Sequence, residues 1–200
     1  EEELQEEEEE VEELTERVQD LYEETSEDQE QVIEEEGRQE ESGAPEPVLF
    51  FFVDASGSAG RLALVDRRNG AILSESTDTP LKRGAFRPFH DQIVAIEATE
   101  GEQSRVLLLD SDSLELTIAA ERSVYGDTSI TMGDGVLFMV VREEGSWRIG
   151  RFSAELDLET SSVAAVDPNT AIILSGERLL VQDLEGEIML LDSTELRVTR

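Results

Sequence analysis

The feature that most constrains this chain is a repeat. Arg61-Leu-Ala-Leu-Val-Asp-Arg-Arg-Asn-Gly-Ala-Ile-Leu73 is an apolar run closed by Asp66, a polar turn ending in Gly70, and a second apolar run. Similar stretches follow. Val106–Asp110 leads into Leu114-Glu-Leu116, Trp147–Phe152 into Leu156-Asp-Leu158, and Ile188–Asp192 into Leu196-Arg-Val198. Aligned on Asp66, Asp110, Phe152 and Asp192, the steps are about 44, 42 and 40 residues. That is the blade period of a β-propeller.

The segments between these landmarks fill in the blades. Val48–Val53 is apolar throughout and short enough for a buried strand. Further runs at Gln92–Glu97, Gly135–Arg142, Ala171–Ser175 and Arg178–Gln182 are Leu-rich or β-branched. Turn signals separate them, among them Asn69-Gly70, Glu144-Gly145, Asp167-Pro168-Asn169 and Glu185-Gly186. Short strands spaced in this way favour an all-β meander over alternating strands and helices. The expected fold over residues 48–200 is a β-propeller-like array of about four short-stranded blades. One such blade cannot cover its own faces, so neighbours must stack to make a core. The pattern leaves a closed ring, part of a larger ring and an open array as alternatives.

Charge divides the chain in two. Residues 1–47 hold 23 acidic and 2 basic residues, and residues 48–200 hold 26 acidic and 14 basic, which together make the net charge of −33. Residues 1–36 read as an acidic helical arm. Leu4, Val11, Val18 and Val32 share one heptad position, and Leu14 and Leu21 another, so a coiled coil is one alternative and a solvated or disordered spacer the other. Residues 37–47, with Gly37 and the Ser42-Gly-Ala-Pro-Glu-Pro47 run, read as a linker, because two prolines cannot continue a helix. A chain this negative is repelled by nucleic-acid phosphates and anionic lipid, so no nucleic acid and no membrane insertion are expected. No apolar run approaches the roughly 18 residues of a membrane span. Cationic partners and divalent ions remain open, and a protein partner and self-association through the arm are the interactions expected.

The absence of cysteine removes disulfides and thiolate chemistry. Carboxylates are too common for any pair to mark a catalytic site, and the single histidine has no triad or zinc partners at known spacing. No catalytic residue and no cofactor is expected. Two stretches carry candidate binding chemistry. The only locally basic one is Lys82-Arg-Gly-Ala-Phe-Arg-Pro-Phe-His90, where Lys82, Arg83, Arg87 and His90 are candidates for an anion or acidic-peptide site. The other, Phe52-Val-Asp-Ala-Ser-Gly-Ser58, resembles the metal-ion-dependent adhesion site of von Willebrand factor A domains. The resemblance implies that Asp54, Ser56 and Ser58 would offer hard oxygen ligands to a divalent cation. That fold needs an amphipathic helix directly afterwards, whereas here Gly60 leads into another apolar strand. Trp147 is expected to pack between sheets.

Asp66 and Gly70, at the end of a strand and in the following turn, resemble the quinoprotein type of propeller repeat, although Ser74 and Glu75 stand where its docking aromatic would be. At larger scale, the Glu-rich run, the proline linker, Ser146-Trp-Arg-Ile-Gly-Arg-Phe152 and Leu179-Leu-Val-Gln182 resemble the 83/100-kDa antigen family of Borrelia and other spirochaetes. That resemblance implies a non-enzymatic, extracytoplasmic protein of the periplasm or envelope, and supplies no functional residues. The arm is nearly all Glu where a mixed Glu/Lys segment would be expected. The sequence therefore points to a propeller-like interaction or scaffold module on an acidic spacer, with a metal-dependent adhesion domain as the alternative.

Overall fold

The structure is a computed structural model and describes residues 44–76 and 79–199. The expected helical or coiled-coil arm at 1–36, and the linker as far as Gly43, lie outside the described residues. Among the described residues every regular element is a strand and none is a helix. They fall within one compact unit, Glu46–Arg200.

Each expected blade is an antiparallel meander. The first contains β1 (Pro47–Val53), β2 (Ala59–Asp66) and β3 (Ile72–Glu75). The second contains β4 (Leu81–Phe89), β5 (Gln92–Glu97), β7 (Val106–Asp110) and β8 (Leu116–Ala119), with the short β6 (Gln103–Ser104) between β5 and β7. After β9 (Val124–Tyr125), the third runs through β10 (Thr131–Gly133), β11 (Val136–Glu143), β12 (Ser146–Phe152) and β13 (Leu158–Ser161). The fourth contains β14 (Ile173–Ser175), β15 (Arg178–Gln182) and β16 (Ile188–Asp192), with Val198 bridging back to Leu191.

Alternation explains how these meanders stack. Successive side chains of a strand point to opposite faces. In β5, Ile93 and Ala95 enter one core with Leu107 and Leu109 of β7, while Val94 and Ile96 enter a second with Val106 and Leu108. In β11, Leu137, Met139 and Val141 fill that second core, and Phe138 and Val140 fill a third with Leu179, Val181 and Leu191. Three cores thus lie between four meanders. The two inner meanders bury both faces, which is why their central strands read as unbroken apolar runs.

Short pairings tie neighbouring meanders together. Ala59 and Gly60 of β2 pair with Lys82 and Leu81 of β4, joining the first two meanders in one sheet. β9 pairs with both β6 and β11, linking a loop of the second meander to the third. Among the described residues no pairing joins β16 to β1, so the array is open and not a closed ring.

Two expectations need correcting. Val48–Val53 is not a buried strand. Leu49 and Phe51 pack inward, but Val48, Phe50 and Phe52 on the opposite face are exposed, because no described meander covers that side. Phe152 is also not the repeat's third landmark. Asp110 Oδ1 accepts the backbone N–H groups of Asp112 and Ser113, and Asp192 Oδ1 those of Thr194 and Glu195. In the third meander Ser153 Oγ does this work, accepting from Glu155 and Asp157. A turn one residue shorter, with a register shift at Arg151/Phe152, displaces the alignment. The structural steps are 44, 43 and 39 residues.

Candidate functional site

The basic stretch folds into the wall of a cavity because β4 leaves its ladder there. Leu81 pairs with Glu97 and Phe86 with Ala95, and the register shifts between them. Gly84, at φ +75°, supplies the left-handed backbone that lets the chain depart and return. Residues 82–85, freed from pairing on that edge, face the loop after β9. Lys82, Arg83 and Arg87 on one side, with Gly126, Asp127 and Ser129 opposite, line a cavity of about 200 Å³.

The charges around it do not balance. Lys82 Nζ lies 2.5 Å from Asp127 Oδ1, an ion pair across the mouth. Arg87 instead donates to the backbone carbonyls of Phe86 (2.7 Å) and Gly84 (3.2 Å), and Arg83 reaches the carbonyl of Gly57 at 3.5 Å. Among the described residues neither guanidinium has a carboxylate partner. A net positive cavity therefore sits in an otherwise acidic unit. Its far wall is held from behind: Thr128 Oγ1 accepts the Val140 N–H, and Ser129 Oγ accepts that of Ile172. At Gly126 a Cβ would lie 3.1 Å from Ser104 Oγ and 3.4 Å from Lys82 Nζ, so a larger residue there would have to shift these two side chains.

His90 does not belong to this group. It occupies the β4–β5 turn at φ +55°, with its ring 4.5 Å from that of Phe89, and is not a lining residue of the cavity. The loop wall at 126–130 had no signal in the sequence, because it lies some forty residues from Lys82 and meets it only in the fold, where Lys82 pairs with Asp127.

Asp54, Ser56 and Ser58 do come together, but as a hairpin turn. Asp54 Oδ1 accepts the Ser56 hydroxyl at 2.5 Å and the N–H groups of Ser56 and Gly57 at 3.0 and 3.1 Å. Ser56 Oγ lies 2.9 Å from Ser58 Oγ. The Ser56 hydroxyl holds the Asp54 carboxyl below its ordinary range. The chain then turns directly into β2. Where the von Willebrand factor A fold places a helix directly after the motif, this chain has a strand paired to β1. Trp147 packs against the third core, edge-on to Tyr125 at 5.1 Å, with the Arg142 guanidinium 5.4 Å from its ring centre.

No helix among the described residues is long and apolar enough to cross a membrane. The family model described as Borrelia P83/100 protein matches residues 1–172. No curated protein matches the chain. Among solved structures, BamB from Moraxella catarrhalis aligns with a TM-score of 0.38 at 11% identity, over 76% of this chain and 63% of that one. The chain thus spans less than two thirds of that structure's length.

Proposed function

The chain belongs to the Borrelia P83/100 protein family, and from that premise we propose that it is a non-enzymatic interaction module of the cell envelope, carried on an acidic spacer. Membership supports an antigen-like protein of the envelope or surface. Placement in the periplasm and a scaffold role are the finer parts of the proposal. The partner is a protein, bound through an acidic segment whose carboxylates enter the cavity at Lys82, Arg83 and Arg87.

The observation that carries this reading is the pair of guanidinium groups, Arg83 and Arg87, on one concave surface with no ion-pair partner among the described residues. Guanidinium groups match carboxylates with two parallel, charge-assisted bonds. Overall negative charge slows the approach of an acidic partner. Affinity must therefore come from contacts inside the cavity.

Titration calorimetry of the full chain with a Glu-rich peptide at physiological salt tests the reading. Arg83→Ala combined with Arg87→Ala is expected to weaken binding about tenfold or more, each charged hydrogen bond contributing about 1.5–3 kcal/mol in favourable geometry. Equal binding by the double variant, or none by the unaltered chain, would refute it.

A further inference from the structure

The inner meanders follow one rule of orientation. Count back from the turn residues Asp66, Asp110, Ser153 and Asp192. One and three residues earlier stand Leu109 and Leu107 in β7, Phe152 and Gly150 in β12, and Leu191 and Met189 in β16. All of these face the preceding meander. Four residues earlier stand Leu62, Val106 and Ile149, and these face the following one. At every internal joint a forward face therefore packs on a backward face. The joints are heterologous and repeat along the array.

Applied to the first and fourth meanders, the rule leaves one face of each kind without a neighbour among the described residues. The free backward face of the first meander presents Val48, Phe50 and Phe52 of β1 beside Val65 of β2. Phe50 is 52% and Val48 46% exposed. The free forward face of the fourth presents Ile173, Leu180, Leu190 and Ile188. Ile188 is 73% and Ile173 55% exposed. Ile188 stands four residues before Asp192, the position at which Leu62, Val106 and Ile149 are buried. Both ends thus carry core residues at core positions with nothing described against them, whereas a capped repeat array ends in polar faces.

Charge is consistent with the same fit. Among the paired strand positions of the backward face, Arg61 is accompanied by Glu75, 3.1 Å apart. On the forward face Arg178 stands opposite Asp192. At these strand positions each face carries one charge of each sign, in a chain of net charge −33. Gly70 replaces the buried leucine found at the equivalent point of the other three turns (Leu114, Leu156, Leu196), and Phe50 and Phe52 supply bulk on that face instead.

We propose that the occupant of each end is a second copy of this chain, the backward face of one first meander stacked on the forward face of another fourth meander, continuing the internal joint between molecules. Such a contact is heterologous. It either closes into a ring or extends as a filament.

Sedimentation of the full chain over a wide concentration range tests it. The expected result is a mass rising above the 22.2 kDa monomer. Phe50→Glu blocks one end and Ile188→Glu the other, so each variant alone is expected to remain monomeric. An equimolar mixture keeps one intact junction and is expected to form complexes of two copies and nothing larger. Because the chain has no cysteine, a second test needs no burial of charge. Phe50→Cys combined with Ile188→Cys is expected to give a disulfide-linked ladder on oxidation, and either change alone at most a dimer. A wild-type chain monomeric throughout, a mixture that fails to pair, or a double-cysteine chain without a ladder would overturn the proposal.

Discussion

Leu114, Leu156 and Leu196 adopt φ values of +58°, +66° and +54°, a left-handed region that costs an L-residue about 1–2 kcal/mol. Each is almost wholly buried and fills one of the three cores. Burial decides the balance, because removing a buried leucine side chain costs about 2–5 kcal/mol, more than the strain it relieves. Leu156→Gly is accordingly expected to lower stability by about 1–3 kcal/mol in denaturant titration, despite glycine's easier backbone. A neutral or stabilising result would mean that the leucine is not the plug described here. Asp66 gives a second residue-scale expectation. The Arg68 guanidinium donates to both of its carboxylate oxygens and, with the Arg68 backbone N–H, holds the carboxyl down at about 2. Its folded-state pKa lies below the unfolded value of about 3.9. The contribution to stability is therefore present above that value and is lost as pH falls toward 2. Asp66→Asn should flatten the acid limb of the stability curve in that window, as a pH series of thermal melts would register. The basic residues of the cavity were visible in the sequence as one cluster. Their division was not, since it depends on Gly84 releasing residues 82–85 from the ladder while His90 stays in the turn.

At the scale of elements, the β1–β2 pair relies on close backbone approach. A Cβ on Gly60 would lie 1.9 Å from the carbonyl oxygen of Phe52, a backbone atom that no side-chain rotation can move aside. Gly60→Ala is expected to part the two strands and destabilise the chain by about 1–3 kcal/mol or more. Amide exchange raised over that of the unaltered chain in β1 but not in β11 would mark the damage as local, and an unchanged melt would count against the pairing. The strands themselves were legible because a meander covered on both sides needs apolar residues at every position, as in Val106–Leu109 and Leu137–Val141. The same rule misled at Val48–Val53. An apolar run there looks identical whether or not a neighbour covers its second face. The one-residue error at Phe152 has a similar origin. A serine hydroxyl and an aspartate carboxylate perform the same turn-closing role, and hydrophobic pattern alone does not equate them.

For the whole molecule, electrostatics opposes compactness. Residues 48–200 carry 26 acidic against 14 basic side chains. Their ion pairs, such as Arg105–Glu97 and Arg148–Glu144, lie at or near the surface, where such a pair contributes about 0–1 kcal/mol. Screening the general repulsion should therefore gain more than screening the pairs loses. The melting temperature is expected to rise with salt, and a fall would show that the ion pairs dominate. Among the described residues, four stacked meanders bury both faces of the inner two and only one face of each outer one. Amide hydrogen exchange of the full chain, dilute enough to keep copies apart, tests it most directly, because local opening follows the burial that each segment would lose. The slowest exchange is expected in β5, β7, β11 and β12, and faster exchange in β1, β14 and β16. Protection of β1 and β16 equal to that of β7 and β11, or rapid exchange throughout β5 and β7, would contradict the stacking order.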